Sequence, residues 1–268
     1  MSRRLVLAGV ALVTCLGVAI LVLDGRAPPW LSGVGAARPP TGGVTVVGLG
    51  DSVMAGSHCG CSGVTEEFAE AWSHRLRRTV RAVNLGVPGD TTTTLQQRLD
   101  SDARTRTDLR RADMVLVIEG ANDLVPQLET WRVGTCDADC YRPAVDLMGQ
   151  RLRGALTDIR RLAPGAQVVV AGYWNVFPDG QTARTEGGQD LIDWSRRITR
   201  DANAAIEQAA RPERATYVDL TAPFLAGGQK DPTTMLAEDG DHPNQAGVRA
   251  IVTTLLSVSH PPAQPHPG

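Results

Sequence analysis

Residues 44–52 read VTVVGLGDS. Val44 to Leu49 is a short, uncharged, β-branched run, which predicts a strand buried on both faces of a parallel sheet. The run stops at Gly50-Asp51-Ser52, a turn-forming tripeptide that sets a hydroxyl just beyond the carboxyl end of the strand. Outward from this point strands and helices alternate. A helix is predicted from Thr65 to Arg81, with Phe68, Trp72, Leu76 and Val80 on its inner stripe. A second strand comes next at 82–85, then one or two short helices within 92–109, and a strongly apolar strand at Met114 to Ile118. Arg142 to Leu162 reads as a long amphipathic helix with Pro143 in its first turn. Strands at 167–171 and 216–220, a helix over 190–210 and a last helix from Asn244 to Leu256 complete the pattern. Such alternation predicts an α/β fold, a parallel sheet with helices on both faces, and a site outside the carboxyl ends of the strands.

Four short islands lie at or beyond those ends: residues 50–53, 84–89, 120–123 and 239–244. Ser52 is the candidate nucleophile, but a serine hydroxyl is weak near neutral pH and needs a base within hydrogen-bond reach. Of five histidines, His260 and His266 fall in the tail, His74 lies off the apolar stripe of its helix, and His58 lies in a cysteine loop. His242 stands before Pro243-Asn244 at a helix start, so it is the candidate base. Asp239 and Asp241 are both near enough in sequence to orient it. Together these parts suit acyl transfer without a metal or other cofactor.

The blocks Gly48-Leu49-Gly50-Asp51-Ser52, Asn84 to Thr91, Gly120-Ala121-Asn122-Asp123 and Asp239 to Asn244 resemble those of the SGNH hydrolases, the GDSL-type esterases and lipases, over residues 42–258. The resemblance implies a flavodoxin-like three-layer sandwich with a five-stranded sheet in the order 2-1-3-4-5. It implies a Ser52–His242–Asp239 triad, since the family pattern is Asp-x-x-His. By the same analogy the oxyanion donors are the backbone N–H groups of Ser52 and Gly89 and the side-chain amide of Asn122. Asp51 and Asp123 are read as structural partners of the surrounding loops. Tyr173, Trp174 and Phe177, after the fourth strand, are candidates for substrate contact, and the polar stretch 178–188 is expected to be a mobile loop.

The chain has 268 residues and a net charge of -2, so no basic surface argues for nucleic acid. Leu5 to Leu23 is uncharged and apolar, about long enough to span a bilayer as a helix. Arg3 and Arg4 precede it and favour export of the chain beyond Leu23. Residues 1–23 are therefore expected to form a membrane anchor, with a cleaved signal peptide as the alternative. Residues 24–42, rich in Pro and Gly, are read as a linker, 43–258 as the hydrolase domain, and 259–268 as a disordered tail. Cys59, Cys61, Cys136 and Cys140 lie outside the apolar segment and are expected to form two disulfides, with three connectivities open. The His58-Cys59-Gly60-Cys61 run is a weaker metal motif, because export favours oxidation and the Cys136/Cys140 spacing fits no common zinc module. The expected activity is that of a monomeric exported serine esterase acting on a small-molecule, glycan or lipid ester. Transfer of an acyl group to a cell-envelope glycan, or a catalytically silent glycan-binding role, are the alternatives.

Overall fold

The computed structural model describes residues 43–136 and 139–262. Five parallel strands form one sheet: β1 (Val44–Gly50), β2 (Val80–Gly86), β3 (Met114–Ile118), β4 (Gln167–Ala171) and β5 (Thr216–Val218). Their order is β2-β1-β3-β4-β5, as the resemblance implies. The central pairing sets Gly50 beside Ile118, so the carboxyl ends of β1 and β3 finish level with each other. Every residue of β3 is buried, as expected of a strand covered on both faces.

Helix α2 (Val64–Leu76) packs on α9 (Gln245–Ser257), while α6 (Arg142–Leu162) packs on α3 (Thr92–Ser101) and α7 (Gly180–Ala210). Helix α6 matches the predicted span, with Val145, Met148, Leu152, Leu156 and Ile159 buried. Helix α2 is shorter than expected, because Arg77 adopts φ 52 and ends it; Val80 then opens β2 instead of extending the helical stripe. The stretch 92–109 forms two helices, α3 and α4 (Ala103–Leu109), with Asp102 capping the second. Helix α5 (Val125–Arg132) was not anticipated; only Leu128 in it is buried, so it carries almost no apolar period.

Two expectations are corrected. The stretch 178–188 is not an open loop: Asp179 caps α7, which starts at Gly180 and bends at Gly188, where φ is 66. The domain also extends past 258, since Ser259 is buried and donates to Leu255 O, and the His260 N–H donates to Gln167 Oε1. Among the described residues no helix is long and apolar enough to cross a membrane; Leu5 to Leu23, the linker at 24–42 and residues 263–268 lie outside them.

Candidate active site

The position of Ser52, the candidate nucleophile, is built from steric necessity. At Gly50, φ is 143 and a Cβ would lie 1.8 Å from Ile118 O, so only glycine lets β1 pass the end of β3. The chain then turns into a single helical turn, α1 (Ser52–Ala55), with Ser52 at its start. Asp51 caps that turn, accepting from the Val53 N–H at 2.9 Å, and its other oxygen accepts from the Tyr173 hydroxyl at 2.5 Å. Burial raises the Asp51 carboxyl to about 6 and the nearby Asp241 adds to this; Tyr173, the Val53 N–H and His242 pull the other way.

His242, the candidate base, is held by a small closed loop. Leu236 and Pro243 pair antiparallel, and the Ala237 N–H donates to His242 O at 2.8 Å. Asn244 locks the exit: its Oδ1 accepts from the Ala246 and Gly247 N–H groups at the start of α9, and its Nδ2 donates to Leu236 O. Inside the loop, Asp239 Oδ1 accepts the backbone N–H groups of Asp241 and His242, both at 3.0 Å, and Asp239 Oδ2 lies 2.8 Å from His242 Nδ1. Burial alone would raise the Asp239 carboxyl, but the backbone N–H groups of His242 and Asp241 and the imidazole outweigh it, leaving it below its ordinary value. Asp241 makes no such bond to the ring; burial and the Asp239 charge raise it to about 6 against the pull of His242 and His58. Asp239, not Asp241, therefore orients the imidazole. The first turn of α7 braces this loop, since the Asp179 N–H donates to Gly240 O and Thr182 Oγ1 donates to Glu238 O.

Ser52, Asn122, Tyr173, Trp174, Phe177 and His242 line one cavity of about 190 Å³. The three aromatics are nearly wholly buried, so they offer the cavity ring faces and edges while belonging to the core. Asn122 lies in a 3₁₀ turn (Ala121–Leu124) after β3 and donates one amide hydrogen to Asp90 O at 2.8 Å, leaving its second for a ligand. Gly89 does not line this cavity; it borders a shallow surface with Val87, Pro88 and Asp90, one residue from the carbonyl that Asn122 holds. Asp123 is structural, as expected: it accepts from both the N–H and the hydroxyl of Thr92.

The sequence model of the GDSL-like Lipase/Acylhydrolase family matches residues 49–250. The chain belongs to that family. Solved structures share its fold at low identity. The lipase Lip_vut3 from a goat rumen metagenome is 18% identical, with 80% of this chain and 96% of that one covered and a TM-score of 0.63. Phospholipase A1 from Streptomyces albidoflavus is 20% identical, covering 81% and 100%, with a TM-score of 0.57. A catalytic mutant of Axe2, an acetylxylan esterase from Geobacillus stearothermophilus, is 18% identical, covering 80% and 94%, also with a TM-score of 0.57. No curated protein matches the chain. As a GDSL-like hydrolase the protein is a carboxylic ester hydrolase of the esterase and lipase type.

Two residues in this GDSL-like site escaped the sequence reading. His58, passed over as the base because it lies in the cysteine loop, stacks on His242 with ring centroids 4.6 Å apart, and its Nδ1 lies 3.3 Å from Asp239 Oδ2. Only its place beside the cysteines hinted at a role. Glu119, which comes directly after β3, is fully buried and neither carboxylate oxygen has a hydrogen-bond partner. Burial, reinforced by the Asp51, Asp90 and Asp123 carboxylates, holds its acid well above its ordinary value, opposed only by Arg98. A glutamate directly before Gly120 was the available signal. The cysteines pair locally, Cys59 with Cys61 and Cys136 with Cys140, at Cα separations of 5.2 and 5.4 Å. The first pair directly follows the turn that carries His58, and none of the four cysteines lines the cavity.

Proposed function

We propose that this protein is an exported serine esterase acting on short-chain acyl esters, acetylated carbohydrates included. The observation that carries the reading is the 2.8 Å contact between His242 Nδ1 and Asp239 Oδ2, with His242 and Ser52 on the same cavity wall. With Nδ1–H engaged by the carboxylate, the neutral ring presents its Nε2 lone pair to the serine. Ser52 Oγ attacks the ester carbonyl while Nε2 takes its proton, and the imidazolium so formed is stabilised by Asp239. The second amide hydrogen of Asn122 and the Ser52 N–H are the donors that stabilise the oxyanion. Nε2 then protonates the leaving alcohol, and water activated by the same nitrogen releases the acid.

A cavity of about 190 Å³ lies below the ~300–1,000 Å³ of sites that enclose drug-sized ligands, which supports a short acyl group over a lipid tail. Trp174 also walls a larger cavity of about 470 Å³ bordered by Arg196, Arg197, Arg200 and Leu225, with room for a sugar-sized alcohol. The test is a series of nitrophenyl esters of increasing acyl length, with acetylated glycans beside them, assayed on wild type and Ser52→Ala. Acetyl and butyryl esters should be turned over fastest and Ser52→Ala should lose the activity. Near-wild-type turnover in folded Ser52→Ala, or a rate that climbs with chain length, would reject the reading. Acylated glycan accumulating when an acceptor is added would favour the transferase alternative.

Export rests on the apolar run Leu5 to Leu23 behind Arg3 and Arg4, and on the cysteine pairs. Protease added to intact, wall-stripped cells should cut between residues 24 and 42 and release an active domain. A mature chain that begins in that stretch and is free in the medium would show signal-peptide cleavage. Protection until lysis would contradict export.

A further inference from the structure

We propose that His58, Asp239 and His242 form an inhibitory binding site for a divalent transition-metal ion of the zinc type, superimposed on the base of the triad. Only the consequence for activity rests on the serine-esterase reading; the binding does not. Three donors converge from two separate loops. Asp239 Oδ2 lies 2.8 Å from His242 Nδ1 and 3.3 Å from His58 Nδ1, and all three atoms fall within 4.8 Å of one another. Zinc bonds of roughly 2.0–2.2 Å in a tetrahedron put neighbouring ligand atoms about 3.3–3.5 Å apart, so the cluster is close to coordination spacing. Two imidazoles and one carboxylate suit zinc, copper or nickel, whereas calcium and magnesium prefer oxygen alone.

Access and adjustability are both present. The His58 side chain is 61% exposed, against 16% for His242, so the ion enters from the solvent side of the stack. The two rings lie 21° from parallel, and an ion in the plane of both requires one ring to turn. His58 is the ring free to do so. Its backbone sits at φ 59 beside the Cys59–Cys61 pair, a tight turn that keeps its Cα within reach of Asp239.

The chemical consequence is set by tautomerism. A neutral imidazole holds one proton; when the metal takes the Nδ1 lone pair, that proton resides on Nε2. His242 thus moves its proton from Nδ1 to Nε2 through solvent, His58 binds with its own proton on Nε2, and none is lost overall. His242 Nε2 becomes a donor and no longer accepts the Ser52 proton, while Asp239 spends its charge on the ion. Binding therefore switches the enzyme off without touching the nucleophile.

The experiment uses the full chain under non-reducing conditions. Zinc chloride is titrated against nitrophenyl acetate hydrolysis, each variant scored against its own metal-free rate, and cobalt chloride is added separately to record the visible spectrum of a tetrahedral site. Wild type should be inhibited reversibly, with recovery on chelation. His58→Ala should need at least about 100-fold more zinc, beyond the ~10–100-fold that loss of a supporting group costs a metal site. Ser52→Ala should still give the cobalt spectrum, displaced by zinc, even though it hydrolyses nothing. Equal zinc sensitivity in His58→Ala, or no cobalt spectrum in either wild type or Ser52→Ala, would overturn the site. Inactivity of wild type on every ester, with the cobalt spectrum intact, would instead reject the esterase reading and leave the metal site standing.

Discussion

The two ends of the parallel sheet treat charge in opposite ways. Among the described residues, the buried charged side chains are Asp51, Asp90, Glu119 and Asp179, and all four lie beyond the carboxyl ends of strands. At the amino end Asp113 stays partly exposed and simply accepts the Thr45 N–H at 2.8 Å. Burying a carboxylate is costly unless it is paired. Asp51, Asp90 and Asp179 have hydrogen-bond partners in Tyr173, Arg98 and Arg196 respectively; Glu119 has none. The end that stores unfavourable charge is the end that holds Ser52 and His242. The contrast teaches that the buried carboxylates gather at the end of the sheet that holds the candidate site.

That division can be tested from its strongest consequence downward. Asp239→Asn should lower turnover by about 10⁴-fold, because the imidazole loses the partner that fixes its tautomer, while Asp241→Asn should cost far less. Steady-state kinetics on both variants checks this, and reversed severities would move the orienting role to Asp241. Asn122→Ala should lower kcat by about 100- to 1,000-fold with little change in KM. A change confined to KM would make Asn122 a binding residue.

The charge asymmetry itself is probed by stability against pH. Because the Glu119 acid is raised in the folded state, its contribution is fully present below its unfolded value near 4.5 and is lost as pH rises towards the folded value. Relative to Glu119→Gln, wild type should lose up to about 1.36 kcal/mol per pH unit across that window. Denaturant melts from pH 4 to 9 measure the difference, and parallel curves would show that Glu119 is ordinary. At the other end, Asp113→Ala should be uniformly destabilising by about 1–3 kcal/mol with unchanged turnover, because it leaves the Thr45 N–H unpaired. The smallest effect belongs to the cysteines. Their loops are so short that chain entropy gives each bond only about 1.5–2 kcal/mol, so reductant should lower Tm modestly. An unfolded domain under reductant would mean that the pairs do more than close their own turns.

The strands were legible because their runs are uniformly apolar: 44–49, 114–118 and 167–171 match the sheet closely. Asp239 and His242 were legible because three residues suffice to close their contact. What escaped notice depends on distance along the chain or on tertiary support. His58 and Asp239 lie about 180 residues apart in sequence, and no local pattern encodes their meeting. The helical turn after Asp179 looked like a loop because its residues are polar; its hydrogen bonds go to Gly240 and Glu238, far away in sequence. Gly89 borders a surface with Val87, Pro88 and Asp90, a placement that depends on the path of the chain between β2 and α3.

One consequence of the site's construction concerns time. Ser52 lies just past the first strand of the sheet, whereas Asp239 and His242 precede the last helix, about 190 residues later. At synthesis rates of about 5–20 residues per second, Ser52 leaves the ribosome roughly 10–40 seconds before His242 has been made. On the proposed mechanism, a product that stops short of residue 239 carries Ser52 without the imidazole and carboxylate that would activate it.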